Sequence, residues 1–236
     1  MRRAVIAAAA LAYVAWSSSA FAAYQEVAVK DGGTLTGVVR FTGAPPRGAP
    51  IAVAKNRDVC GDQTPSETLV VGSDRGVKGG AILVEGVTRG KKGGSDVVVE
   101  TQKCHFVSHV MTTGPGDHVR VKNSDAVLHN THGFLGKATV FNVALPHKDQ
   151  MVDITRRLTT PGVVRVLCDA HPHMRAWIVV HDSPYFAVTD DRGAFKIDGV
   201  PPGTYKVTLW HEAFRTVTKT VLIAANGSAN LDFELK

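Results

Sequence analysis

No stretch after residue 23 keeps a helical period long enough to bury one face, and this constrains the fold more than any other feature of the chain. Short alternating or β-branched runs take its place: 34–42 (TLTGVVRFT), 51–54, 81–87, 97–100, 106–111, 118–122, 139–145, 151–158, 163–167 and 177–180. Glycine and proline clusters at 43–50, 90–94 and 114–117 separate them. The pattern predicts an all-β chain. A further set of runs at 186–189, 194–197, 205–210, 214–223 and 229–235 is spaced like hairpins, and Asn226 with Gly227 predicts a hairpin between the last two.

The chain opens MRR, continues through an apolar run at 4–16 and reaches Ala20, Phe21, Ala22, which predicts a signal peptide over 1–22. Export to the periplasm or outside the cell follows. No later stretch approaches the roughly 18 continuous apolar residues of a membrane helix, so the mature chain is expected to carry no transmembrane segment. The formal net charge is +6, or +4 once Arg2 and Arg3 are removed, with no basic stripe among aromatics. That excludes a nucleic-acid footprint.

Three cysteines in an oxidising compartment leave one thiol over. Cys60 and Cys104 lie in turn-flanked polar contexts, RDVCGD and TQKCHF, and are expected to pair as a structural disulfide. Cys168 is then free, inside the run RVLCDAHPHMRAW at 165–177. Cys168, His171, His173 and Met174 put a thiolate, imidazoles and a thioether within one loop. These are donors that copper favours, with one more histidine to come from elsewhere. Zinc is the rival metal, but methionine is a poor zinc ligand and no other cysteine joins the loop.

Between residues 96 and 182 the chain resembles a cupredoxin of the plastocyanin type. The residues that carry the resemblance are Phe106, Gly116, Asp117, Val119, Val121, Asn123, Asp125, His129, Asn130, Cys168, His171 and Met174. It implies a Greek-key sandwich holding one copper ion, with His129, Cys168 and His171 in a trigonal plane and Met174 axial. It also implies that Asn130 hydrogen-bonds across the loops as a supporting partner. One departure stands out: only Pro172 and His173 separate His171 from Met174, fewer residues than in plastocyanins. His173 is therefore an alternative donor, and His132 is near enough to His129 to compete. His105 and His109 are expected on one face of a strand, and His147 and His211 on the surface.

Residues 183–236 resemble the carboxypeptidase regulatory-like domain, a smaller prealbumin-like sandwich. The motif runs from Thr189, Asp190, Asp191, Arg192, Gly193, Ala194, Phe195 to Gly199, Val200, Pro201, Pro202, Gly203, Thr204, Tyr205. Its usual opening strand is missing after Asp182, and residues 33–43 look like that strand. Residues 24–95 are thus expected to complete the C-terminal sandwich, with the cupredoxin inserted.

The combination resembles exported bacterial proteins labelled methylamine-utilisation or plastocyanin-like. It implies a copper protein that transfers electrons, or holds and delivers copper, with a periplasmic redox protein such as a cytochrome, or a copper acceptor, as partner. The alternative is a carbohydrate- or surface-binding module, for which Tyr185 and Trp210 would be the exposed aromatics. No zinc-helix motif, nucleophile elbow or paired carboxylates signal an enzyme.

Overall fold

Strands that alternate in burial pair into two β-sandwiches in a computed structural model that describes residues 24–44, 48–72 and 74–236. The signal peptide expected at 1–22 lies outside the described residues. The chain is all-β, as its patterning predicts. In the first sandwich a four-stranded sheet runs in the order Met151–Asp153, His118–Asn123, Asp96–Gln102, His105–Phe106. The facing sheet runs Ala138–Leu145, His129–Leu135, Gly162–Leu167, Arg175–Val180, Val110–Thr113. Val99, Phe106, Val119, Val121, Leu145, Val166 and Ile178 fill the space between them.

The registers of the second sheet place the donor loop. Gly162–Leu167 and Arg175–Val180 pair antiparallel from Gly162 opposite Val180 to Leu167 opposite Arg175. Residues 168–174 are therefore forced out at the end of the sheet. On the other side of Gly162–Leu167, His132 stands opposite Leu167, so continuing the antiparallel register carries His129 to the same end. Side chains alternate along that strand: His129 and Thr131 are buried, while Asn130 and His132 face outward.

The second sandwich draws on both ends of the chain. One sheet orders Phe186–Val188, Ala81–Val84, Gly203–Trp210 and Val217–Ile223. In the other, Gly33–Phe41 pairs antiparallel with Ala194–Val200 and parallel with Ser228–Asn230 and Phe233–Leu235. Leu35, Val39, Ile82, Tyr185, Ile197, Leu209 and Phe233 form its core. Gly37 is required within it, because a Cβ there would meet the Leu231 carbonyl oxygen at 2.1 Å.

Several expectations need correction. The run 106–111 is not one strand: His105–Phe106 closes on the first sheet, Val107 is 47% exposed, and Val110–Thr113 joins the opposite sheet. His105 and His109 therefore share no strand face. Asn226 does take positive φ, but Val217–Ile223 pairs with Gly203–Trp210, whereas Ser228–Asn230 pairs with Gly33–Phe41. The turn carries the chain between sheets and closes no hairpin, because an edge of Gly33–Phe41 supplies the pairing. The run 151–158 stops as a strand at Asp153 and continues as a 3-10 turn at Thr155–Arg157.

The two sandwiches meet along a polar and aromatic seam. The rings of Trp177 and Trp210 cross edge to face with centroids 5.4 Å apart, over a cluster of Ala81, Val110 and Val179. His109 hydrogen-bonds the buried Glu212, which Arg175 approaches at 4.0 Å. Tyr185 is fully buried, accepting the Lys91 N–H at 2.8 Å, so it offers no exposed aromatic to a glycan. His211, expected on the surface, is 4% exposed, with its Nε2 3.2 Å from the Lys78 carbonyl.

Candidate metal centre

Cys168 is the first residue beyond Leu167, and its Sγ stands 3.8 Å from Nδ1 of His129 and 3.7 Å from Nδ1 of His171. All three residues are at most 2% exposed. Distances of this size between a sulfur and two ring nitrogens are too long for strong hydrogen bonds. They leave room for a shared partner at the centre.

Each imidazole is oriented from behind. Nε2 of His129 lies 2.9 Å from Oδ2 of Asp125. That carboxylate also accepts the Lys103 N–H at 2.7 Å and the Cys104 N–H at 2.8 Å. Nε2 of His171 lies 3.0 Å from Oδ1 of Asn56. A carboxylate or amide oxygen can only accept, so each Nε2 carries the proton and each Nδ1 turns its lone pair toward Cys168. Fixing the tautomer and ring plane in this way is the usual task of partners behind a metal-binding histidine.

Asn130, on the outer face of its strand, braces the loop. Its Oδ1 accepts the Asp169 N–H at 2.7 Å and the Ala170 N–H at 3.3 Å, and lies 3.5 Å from the Cys168 sulfur. Its Nδ2 donates to Asn142 at 2.9 Å and Asp169 at 2.8 Å. His132, on the same outer face, places Nδ1 3.0 Å from Asp169 and Nε2 3.0 Å from Thr139.

Met174 closes the loop. Its N–H donates to the His171 carbonyl at 2.9 Å, and its side chain is 1% exposed in the core that also holds Cys168 and Cys104. His173 instead places Nε2 2.9 Å from the Cys104 carbonyl. The disulfide between Cys60 and Cys104 is formed, with their Cα atoms 5.1 Å apart. Cys168 is the free thiol.

Burial sets the charge state. It pushes His129 below the ordinary histidine pKa even though Asp125 acts the other way. It takes His171 down to about 4, with His129 and His173 adding to the shift. The Cys168 thiol is pushed up by the same desolvation, against hydrogen bonds from Asn130, His171 and Ala170. At neutral pH the centre therefore holds two neutral imidazoles and a protonated thiol. A metal bound there would displace the Cys168 proton.

Residues 162–236 match the family model described as carboxypeptidase regulatory-like domain. Among solved structures the chain is similar to the reduced Cu(I) form, at pH 4, of a proline-to-glycine mutant of amicyanin, at 22% identity and a TM-score of 0.32, covering 42% of this chain and 98% of that one. An oxidised amicyanin mutant matches at 25% identity and a TM-score of 0.31 over the same shares. A novel purple cupredoxin from Nitrosopumilus maritimus matches at 16% identity and a TM-score of 0.31, covering 37% of this chain and 99% of that one. No curated protein matches the chain. The regulatory-like match begins at Gly162, yet Gly162–Leu167 and Arg175–Val180 pair within the sheet of the metal loop. It also omits Gly33–Phe41 and Ala81–Val84, which hydrogen-bond into the C-terminal sandwich.

Asp125 and Asn56 were not singled out as site residues from sequence. For Asp125 a local signal exists, since it precedes His129 by four positions. Asn56 is 115 positions from His171 and carries no such signal.

Proposed function

We propose that this chain is an exported protein that binds one copper ion through His129, Cys168, His171 and Met174 and passes single electrons. The observation that carries the reading is the convergence of two Nδ1 atoms on one sulfur at 3.7 and 3.8 Å, with both outer nitrogens already engaged. The donor set fits: a thiolate and two neutral imidazoles suit copper, and a buried thioether suits it better than zinc. The bond from His173 to the Cys104 carbonyl supports Met174 as the fourth donor. Copper would supply the one-electron couple. The chain's own part is to hold the donors still while solvent is excluded. Asp125, Asn56 and Asn130 do this through hydrogen bonds that need not change with charge.

Export is supported by the formed disulfide, which persists in oxidising compartments. Among the described residues no helix is long and apolar enough to cross a membrane. The fitting partner is an exported redox protein such as a cytochrome, and the chain acts as a carrier, not an enzyme. A second reading, copper holding and delivery to an acceptor, is favoured by the closure of His171, which is 1% exposed beneath Asn56.

Titrating Cu(II) into the folded chain tests the proposal. An intense visible thiolate-to-copper band that saturates at one equivalent is expected, and its absence sinks the reading. Slow exchange of Cu(I) to a chelator, set against fast reduction and reoxidation, separates electron transfer from delivery.

A further inference from the structure

The Cys60–Cys104 disulfide is built against the donor cluster. Its two sulfurs and a ring nitrogen of His171 lie within 4.8 Å of one another, and Cys104 is as close to Asp125 and His129. Two local devices hold it there. On one side, Lys103 and Cys104 take positive φ values of 49° and 54°, and Asp125 secures both of their N–H groups. On the other, the helical turn Arg57–Cys60 starts from Asn56, itself at φ 51°. Asn56 accepts the Cys60 N–H on its carbonyl and faces His171 with its side chain. His171 thus turns Nδ1 to Cys168 and Nε2 to the turn that carries Cys60.

Among the other described residues, no three metal-ligating side chains converge. His109 bonds Glu212 through Nε2, and its Nδ1 on the opposite side lies 3.7 Å from Glu67, which leaves no common point for a cation.

We propose that Cys60 and Cys104, once reduced, form a second metal site for a soft monovalent cation such as Cu(I), beside the ring of His171. The proposal deepens, and rests on, the copper reading of the neighbouring centre. Paired thiolates select Cu(I) over the hard cations, and binding by this pair alone leaves the His171 Nδ1 to the neighbouring centre.

The reducing step requires a dithiol. Its thiolate attacks the sulfur of Cys60, which is half-buried, whereas Cys104 is 1% exposed. Cys104 leaves as a thiolate and takes up a proton. The dithiol's second sulfur then attacks its own partner in the mixed disulfide and releases Cys60. Two electrons and two protons pass from the dithiol to the protein, and the dithiol ends as a disulfide. Binding of the metal expels the two thiol protons. The thiol balance of the surroundings thereby sets how much copper the chain holds.

The test is a Cu(I) titration of the full chain against the chromophoric chelator bicinchoninate, with free thiols counted and near-UV circular dichroism recorded. The oxidised protein shows one free thiol and holds one Cu(I). After reduction with dithiothreitol and its removal without oxygen, the protein shows three thiols and holds two. In the reduced state Cys60→Ser returns to one, while Cys168→Ala keeps the second and loses the first. A reduced protein that still holds one Cu(I), a second Cu(I) that survives Cys60→Ser, or loss of the near-UV signal on reduction overturns the proposal. An oxidised protein that holds none overturns the reading of the Cys168 centre instead.

Discussion

Buried histidines at the end of the first sandwich and within the second obey different rules. His211, beside the second core, has both ring nitrogens in ordinary hydrogen bonds, Nε2 with the Lys78 carbonyl and Nδ1 with the Ala213 N–H, each at 3.2 Å. Thr189 in the same sandwich donates to the Val77 carbonyl at 2.6 Å and accepts the Gly80 N–H at 2.8 Å. His129 and His171 satisfy only one nitrogen each and turn the other on a sulfur. Leaving a buried polar atom without a good partner costs about 1–3 kcal/mol, so two ring nitrogens that meet only a sulfur, at 3.7 and 3.8 Å, point to a ligand that completes them. The second sandwich spends its polar groups on its own stability. The first reserves them.

Substitutions can break this contrast, and the largest effect is expected at its centre. Cys168→Ala removes the visible copper band altogether while the apo chain keeps its far-UV dichroism, because one buried sulfur is lost from an otherwise intact core. Leu35→Ala, at a fully buried position of the second core, does the opposite. It should lower unfolding stability by about 3 kcal/mol in a denaturant titration and leave the copper spectrum unchanged.

At the seam, Glu212→Gln should cost about 2 kcal/mol, the worth of a charge-assisted hydrogen bond to His109. Burial raises the pKa of Glu212, but His109, Trp177 and Arg175 together outweigh it and the net shift is downward. A lowered folded-state value stabilises the protein above the ordinary carboxylate range, and that contribution is lost as pH falls through the lowered value. Stability measured against pH should therefore drop more steeply in acid for the native chain than for Glu212→Gln. The smallest effect is expected from Asp125→Asn, which keeps the fold but misorients His129. Copper affinity should fall about tenfold in a competition titration.

The alternation of short runs made the all-β class legible, and the resemblances at 96–182 and 183–236, with 33–43 as the missing strand of the latter, implied two different sandwiches. What the patterns could not carry was the route between sheets. The run through Val107 alternates well enough to be one strand, yet it changes sheets, since periodicity records which face is buried and not against which neighbour. Asn226 and Gly227 fix a local turn but not the strand that Ser228–Asn230 then finds.

The donors in the loop at 168–174 are close in sequence and so were visible as a cluster. Asn130 was reached only through the resemblance, while Asp125 acts through side-chain geometry across loops and Asn56 through a contact spanning 115 positions. Nor does any spacing announce that Cys60 and Cys104 end beside His171. That proximity arises only when the turn at Lys103 and the helical turn at Arg57–Cys60 are packed on the same end of the sandwich.

Copper K-edge X-ray absorption of the copper-loaded oxidised chain tests the central claim most directly. The account predicts one short copper–sulfur distance and two copper–nitrogen distances, with the short sulfur lost in Cys168→Ala. A coordination shell of nitrogen and oxygen alone, or one unchanged by that substitution, would contradict it.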